Sequence, residues 1–112
     1  MKCTLVRTQE TIASQVELAN TFWARLKGLM FRRALAPGSA LLLEPCPQIH
    51  TCFMRFSIDV VFLDKSNQVV AVLEPLKPWR MSKLYRASCR ALELPCGTLK
   101  GRIHTGDELV LD

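Results

Sequence analysis

The chain has 112 residues, 49% of them apolar, with 5 Gly, 6 Pro and a formal net charge of +5. That length and balance fit one globular domain spanning 1–112 and exclude both a disordered chain and a multidomain assembly. No apolar run approaches the ~20 residues that cross a bilayer as a helix, so no membrane insertion is expected.

Lys2–Arg7 alternates apolar and polar residues and predicts a first strand; Val16–Ala19 predicts a second. Asn20 or Thr21 can cap a short helix over about 21–30, with Phe22, Leu26, Leu29 and Met30 on one stripe. Gly28 falls near its end, where Arg32 and Arg33 suit the negative pole. Ala36-Pro37-Gly38-Ser39 reads as a turn and Ala40–Glu44 as a strand closed by Pro45 and Pro47. Ile49–Phe53 and Ile58–Leu63 read as strands, and Asp64-Lys65-Ser66-Asn67 as a hairpin turn into Gln68–Leu73. Pro75–Arg86 is a proline-broken connection, Cys89–Leu94 another strand, Gly97–Gly101 a single helical turn, and Glu108–Leu111 a last short strand. Many short strands with one helix predict an α+β, mostly β fold: a compact antiparallel sheet or a partly open barrel.

Residues 49–64 concentrate the chemistry. On an extended chain Ile58, Val60 and Phe62 share one face, while Asp59 shares the other with Val61 and Leu63. A carboxylate left unpaired in such company costs on the order of 3–5 kcal/mol. Asp59 is therefore paired, bound to backbone amides such as those of the 54–58 loop, or placed at the wet end of the strand. Charge is also uneven: residues 77–102 hold seven basic groups against the single acid Glu93, and the last ten residues reverse the sign.

Four stretches, in order, resemble a prokaryotic family of uncharacterised proteins, the domain of unknown function one hundred and ninety-two. They are Gly28-Leu29-Met30; His50-Thr51 with Met54-Arg55-Phe56 and Ile58-Asp59-Val60-Val61-Phe62-Leu63-Asp64; Pro78-Trp79-Arg80; and Glu93-Leu94-Pro95 with Gly97 and Gly106-Asp107. The resemblance implies a compact, mostly β domain with a short helix. It implies no activity, since none is established for the family.

Three chemistries compete for these residues. Cys46, His50 and Cys52, with Cys89 or Cys96, are zinc-ligand types, yet they lack the close Cys pairs of structural sites. Neither a metal nor a cofactor is therefore expected. The first residues lack the apolar core of roughly 7–15 residues of a secretory leader, so a cytoplasmic protein with five reduced thiols is expected. A small enzyme using His50 and Asp59, with Cys52 as nucleophile, needs thiolate and base within about 3 Å. Side chains two apart on one strand stand roughly 6–7 Å apart. Lys77, Arg80, Lys83, Arg86 and Arg90, with Trp79 and Tyr85 between them, form the charge pattern of a nucleic-acid surface over 77–90, without a recognised motif.

The preferred reading is a small non-enzymatic binding or accessory domain with a pocket for a small anionic ligand or a partner segment. His50, Thr51, Met54, Arg55, Asp59, Trp79 and Arg80 are its candidate residues. Asp59 is expected to hold His50. The Trp79 ring is expected to be buried, with Arg55 and Arg80 at the rim to grip an anion.

Overall fold

A computed structural model describes residues 1–30 and 32–112, apart from the side chains of Phe22 and Leu26, which lie outside the described residues. In chain order the elements are β1 (Cys3–Leu5), β2 (Glu10–Ala13), β3 (Gln15–Ala19), α1 (Phe22–Lys27), β4 (Ser39–Leu43), β5 (Ile58–Leu63), β6 (Val69–Leu76), β7 (Arg90–Pro95) and β8 (Leu109–Leu111). They form a three-stranded sheet, β2-β1-β8, and a five-stranded sheet, β3-β4-β7-β5-β6. The fold is mostly β with one short helix and no closed barrel.

The five-stranded sheet is buried on both faces, and the alternation along β5 explains how. Val61 and Leu63, with Leu92, Leu94, Ala40 and Leu42, pack against the three-stranded sheet through Cys3, Leu5, Ile12 and Leu109. Ile58, Val60 and Phe62, with Ala91, Leu41 and Leu43, pack against Leu29, Cys46, Ile49 and Met54 from the loops on the opposite side. All six residues of β5 are consequently buried. A strand covered on both sides leaves no wet face for a polar side chain.

Several expectations need correction. Glu10–Ala13 is a strand, paired with β1, where none was expected. Ile49–Phe53 is not a strand: only His50 makes a bridge, to Met81, and Phe53 takes a left-handed backbone (φ 63) that interrupts the alternation. β3 and β4 run parallel in an otherwise antiparallel sheet. A parallel pair needs a crossover, and that role falls to the segment carrying α1. The helix is shorter than the stripe suggested. Thr21 caps it by accepting a bond from the Ala24 N–H at 3.1 Å, and Gly28 ends it at φ 47. Residues 97–101 make turns rather than a helical turn, closed by Thr98 N–H to the Pro95 carbonyl and Arg102 N–H to the Leu99 carbonyl. β6 also runs on through Pro75, tolerated because β6 is an edge strand. The β5–β6 hairpin stands as expected. The Asp64 carboxylate accepts bonds from Ser66 and Gln68 N–H, and Asn67 supplies the left-handed turn residue.

Asp59 faces the core beneath the three-stranded sheet, and its Oδ2 accepts the N–H groups of Gly97 and Leu99, each at 3.1 Å. The amides come from the loop after β7, not from residues 54–58. Asp59 thus ties β5 to the following loop and seats Leu99 in the core. Asp59→Ala leaves both amides without their acceptor and should cost about 3 kcal/mol in urea unfolding, with faster hydrogen exchange at Leu99. Asp59→Asn keeps an acceptor oxygen and should cost less. A loss under about 1 kcal/mol for the alanine variant would mean water serves the two amides equally well.

Candidate functional site

The register of β7 places a second carboxylate in the other core. Glu93 pairs with Leu41 on β4 and Val60 on β5, so it points away from Asp59, toward Leu29, Ile49 and Met54. It is 2% exposed, and its Oε2 is buried without a hydrogen-bond partner among the described residues. Burial pushes the acid up to about 8, with the Arg32 charge pulling weakly the other way. At neutral pH Glu93 is therefore a neutral acid, able to donate a hydrogen bond.

Glu93 lies in a cleft of about 20 Å³, room for roughly one water-sized group, whose walls come from three parts of the chain. The end of α1 and its turn supply Arg25, Lys27, Gly28, Leu29 and Met30; the loop after β4 supplies Ile49, His50 and Met54; β4 and β7 supply Leu43 and Glu93. Arg25 donates from Nη1 to the Pro45 carbonyl at 3.2 Å, while its Nε is buried and unpartnered among the described residues. Gly28 approaches Glu93 at a backbone φ of 47, which a side chain rarely adopts. His50 Nδ1 accepts the Cys52 N–H at 3.3 Å, which leaves the proton on Nε2. The cleft thus gathers three basic side chains around one neutral acid.

Thr51 positions that wall. It is fully buried; its hydroxyl donates to the Lys77 carbonyl at 2.6 Å and accepts the Arg80 N–H at 2.8 Å. Its own N–H donates to the Arg80 carbonyl, and its carbonyl accepts the Trp79 N–H. Ser82 continues the ladder, its Oγ accepting the Ile49 N–H at 2.9 Å. Segments 49–54 and 77–82 are therefore locked together by polar contacts of loops rather than by a regular strand pair.

The sequence-based site divides in three. His50 and Met54 line the cleft and Thr51 braces it. Asp59 lies on the opposite face of the sheet, its Oδ2 taken by Gly97 and Leu99, so it does not hold His50. Trp79 is 58% exposed rather than buried, stacked on Phe53 with ring centroids 4.7 Å apart. Arg55 and Arg80 are exposed, and neither lines the cleft. Sequence reasoning missed Glu93. The signal was present in Ala91-Leu92-Glu93-Leu94, an acid among apolar neighbours on a strand, the same pattern that singled out Asp59.

The thiols and the basic segment separate as well. Burial pushes Cys46 up to about 11 and Cys3 up to about 12, so neither offers a thiolate at neutral pH. Cys46 Sγ–H donates instead to the Gln48 carbonyl. Among the described residues no group of three or more His, Cys, Asp or Glu side chains is placed to hold a metal. In the basic segment, Tyr85 packs its ring on Phe62 at 4.6 Å and Arg90 pairs with Glu44, which removes both from a continuous base-stacking surface.

Comparison with known proteins agrees with this architecture. The family DUF192, described as Uncharacterized ACR, matches residues 4–111. A UPF0127 protein of Pyrococcus furiosus is 36% identical over 102 residues, 88% of this chain and 87% of that protein. One from Pyrococcus abyssi is 37% identical, over 85% of this chain and 84% of its own. A solved protein of unknown function from Novosphingobium aromaticivorans superposes with a TM-score of 0.85 over 99% of this chain and 84% of its own, at 20% identity. A second, from Sinorhizobium meliloti and described provisionally as a transcription regulator, gives a TM-score of 0.82 over 97% of this chain and 89% of its own, at 24% identity. At such identities the two likenesses show the fold alone.

Glu93 makes stability depend on pH with a definite sign. Folding raises its pKa from 4.5 to about 8, so between these values the native state holds a proton that the unfolded state has released. Stability from this group is full below the lower value and falls as pH rises, by up to tenfold in the folding equilibrium per pH unit, until about pH 8. Glu93→Gln should flatten that fall in thermal or urea unfolding followed from about pH 5 to 8. Identical pH profiles for the two proteins would show that Glu93 is ionised when folded.

Proposed function

We propose, for a chain that belongs to the DUF192 family of uncharacterised proteins, that the domain is a small non-enzymatic binding module whose cleft receives one oxygen of a carboxylate group. The carboxylate belongs to a small acid or to the end of a partner segment. The observation that carries this reading is the buried, unpartnered Oε2 of Glu93 beside His50, Arg25 and Lys27. A neutral acid donates to a carboxylate oxygen where an ionised one would repel it, His50 adds a second neutral donor, and Arg25 and Lys27 carry the positive charge on the cleft wall. The size of the cleft admits one oxygen, so the rest of the ligand lies outside it, over the surface around His50 and Lys27.

This assignment changes the roles first expected. His50 contributes an Nε2–H donor and Met54 an apolar wall, while Thr51 holds the wall in place. Arg55 and Arg80 have no part in gripping the acid group in this reading. Asp59 serves the fold.

Formate and acetate are the minimal probes. Titration near pH 6.5 should give saturable amide shifts centred on Gly28, His50 and Glu93, at millimolar affinity. Glu93→Ala should weaken binding about tenfold, the range of one hydrogen bond to a charged group. Glu93→Gln keeps a donor and should bind nearly normally, but lose the weakening that the parent protein shows above about pH 8. Shifts spread over 77–90 that vanish with added salt, or binding that strengthens as Glu93 ionises, would overturn the reading.

A further inference from the structure

The ladder that braces the cleft carries a second feature, on its outer side. Phe53 and Trp79 hold φ values of 63 and 61, a region that bulky L residues rarely occupy. Both rings consequently turn outward, 48% and 58% exposed, and stack on one another with a tilt of 59°. The Trp79 conformation is held from beneath, because its N–H donates to the Thr51 carbonyl and the next N–H to the Thr51 hydroxyl. Met81, which bridges His50 on the same ladder, is 67% exposed, and Leu84 beyond it 53%. Single exposed apolar residues are ordinary on a soluble protein; a stacked Phe53–Trp79 pair followed within five residues by exposed Met81 and Leu84 is not.

The charge along the segments that carry these residues has one sign. Arg55, Lys77, Arg80 and Lys83 are all exposed, and no acidic residue occurs from Lys77 to Arg90. Phe53, Trp79, Met81 and Leu84 line neither the cleft at Glu93 nor those at β3 and β4, at residues 95–102 or on the three-stranded sheet. A peptide or small ligand asks its receptor for a groove, whereas the interfacial region of a bilayer yields around protruding rings. Tryptophan suits that region, with an apolar body and one N–H donor, and cations beside it meet anionic headgroups.

We propose that this aromatic and basic surface docks the domain on the interface of an anionic lipid bilayer. Trp79 and Phe53 enter the headgroup region, with Met81 and Leu84 beside them, while the four cations contact the negative surface. The docking is peripheral, since no described helix is long and apolar enough to cross a membrane. It uses different side chains from the carboxylate cleft and does not depend on that assignment.

The test uses the whole chain carrying Trp23→Phe, so that Trp79 is the only indole. It is mixed with vesicles of equimolar phosphatidylcholine and phosphatidylglycerol, and with vesicles of phosphatidylcholine alone. Co-sedimentation with the anionic vesicles, a blue shift of Trp79 emission and its quenching by brominated acyl chains are the expected results. Binding should fall as salt rises, and Lys77→Glu with Lys83→Glu should lower it at least tenfold, each cation near such a surface being worth about fivefold. Phe53→Ala and Met81→Ser should each weaken it several-fold; the second lies at an exposed position without backbone strain and keeps the test valid if the first fails to fold. Three outcomes overturn the proposal. They are no binding to anionic vesicles, binding indifferent to the apolar substitutions, and binding to an acidic peptide but not to vesicles, which would assign the surface to a protein partner.

Discussion

Everything in this fold follows from a pair of central strands with no wet face. β5 and β7 lie side by side in the middle of the five-stranded sheet, and each side of that sheet is covered, one by a second sheet and the other by loops and α1. Water cannot solvate a polar group there, so a carboxylate must find its partners inside the protein or remain neutral. The chain places one carboxylate on each face, at adjacent positions of the ladder: Asp59 opposite Leu94, and Glu93 opposite Val60. Asp59 meets the demand with two backbone amides and thereby shapes the loop after β7. Glu93 leaves Oε2 without a partner, and burial holds the group protonated toward a pH of about 8. The two acids answer one constraint in opposite ways, and the difference leaves Glu93, not Asp59, with an oxygen that the fold does not use.

The loops on the Glu93 side do work that a helix or strand does elsewhere. Residues 49–54 and 77–82 lack regular pairing, yet Thr51 engages four backbone groups of the facing segment through its side chain and main chain. Buried polar links of this kind gain strength from the low dielectric around them and fix one arrangement. Two consequences follow from the same knot. His50 is held facing the cleft, with its Nδ1 occupied by the Cys52 amide. Trp79 is held facing outward at a φ it would not choose alone. The inner and outer sides of one ladder therefore present different chemistry.

Charge along the chain divides between scaffold and surface in the same manner. Beside the three-stranded sheet, Arg7 makes two bonds to the Asp107 carboxylate at 3.0 Å each, and that contact holds the acid at about 2. Arg102 meets Glu10 at 2.9 Å nearby. These exposed pairs are screened by water and add little to stability individually, but they join β2 to the turns before β8. The basic residues of 77–83 stand at the other kind of place, exposed beside large apolar side chains.

How much of this was legible beforehand depends on the range of the physics involved. Alternation along Ile58–Leu63, the turn chemistry of Asp64–Asn67 and a helix cap at Asn20 or Thr21 are properties of covalent geometry over a few residues, and each stands in the structure, with Thr21 as the cap. The same local rule left Asp59 either an internal partner or the wet end of its strand. Which partner it found was a matter of tertiary structure, because the amides of Gly97 and Leu99 lie about forty residues away and reach it only once β5 pairs with β7. Pairing in that register also decided that Glu93, rather than Asp59, shares a face with His50, and that β3 and β4 run parallel around α1. Trp79 illustrates the remaining limit. Its hydrophobicity alone argued for burial, but the hydrogen bonds of Thr51 set its backbone, and a side chain goes where its backbone points.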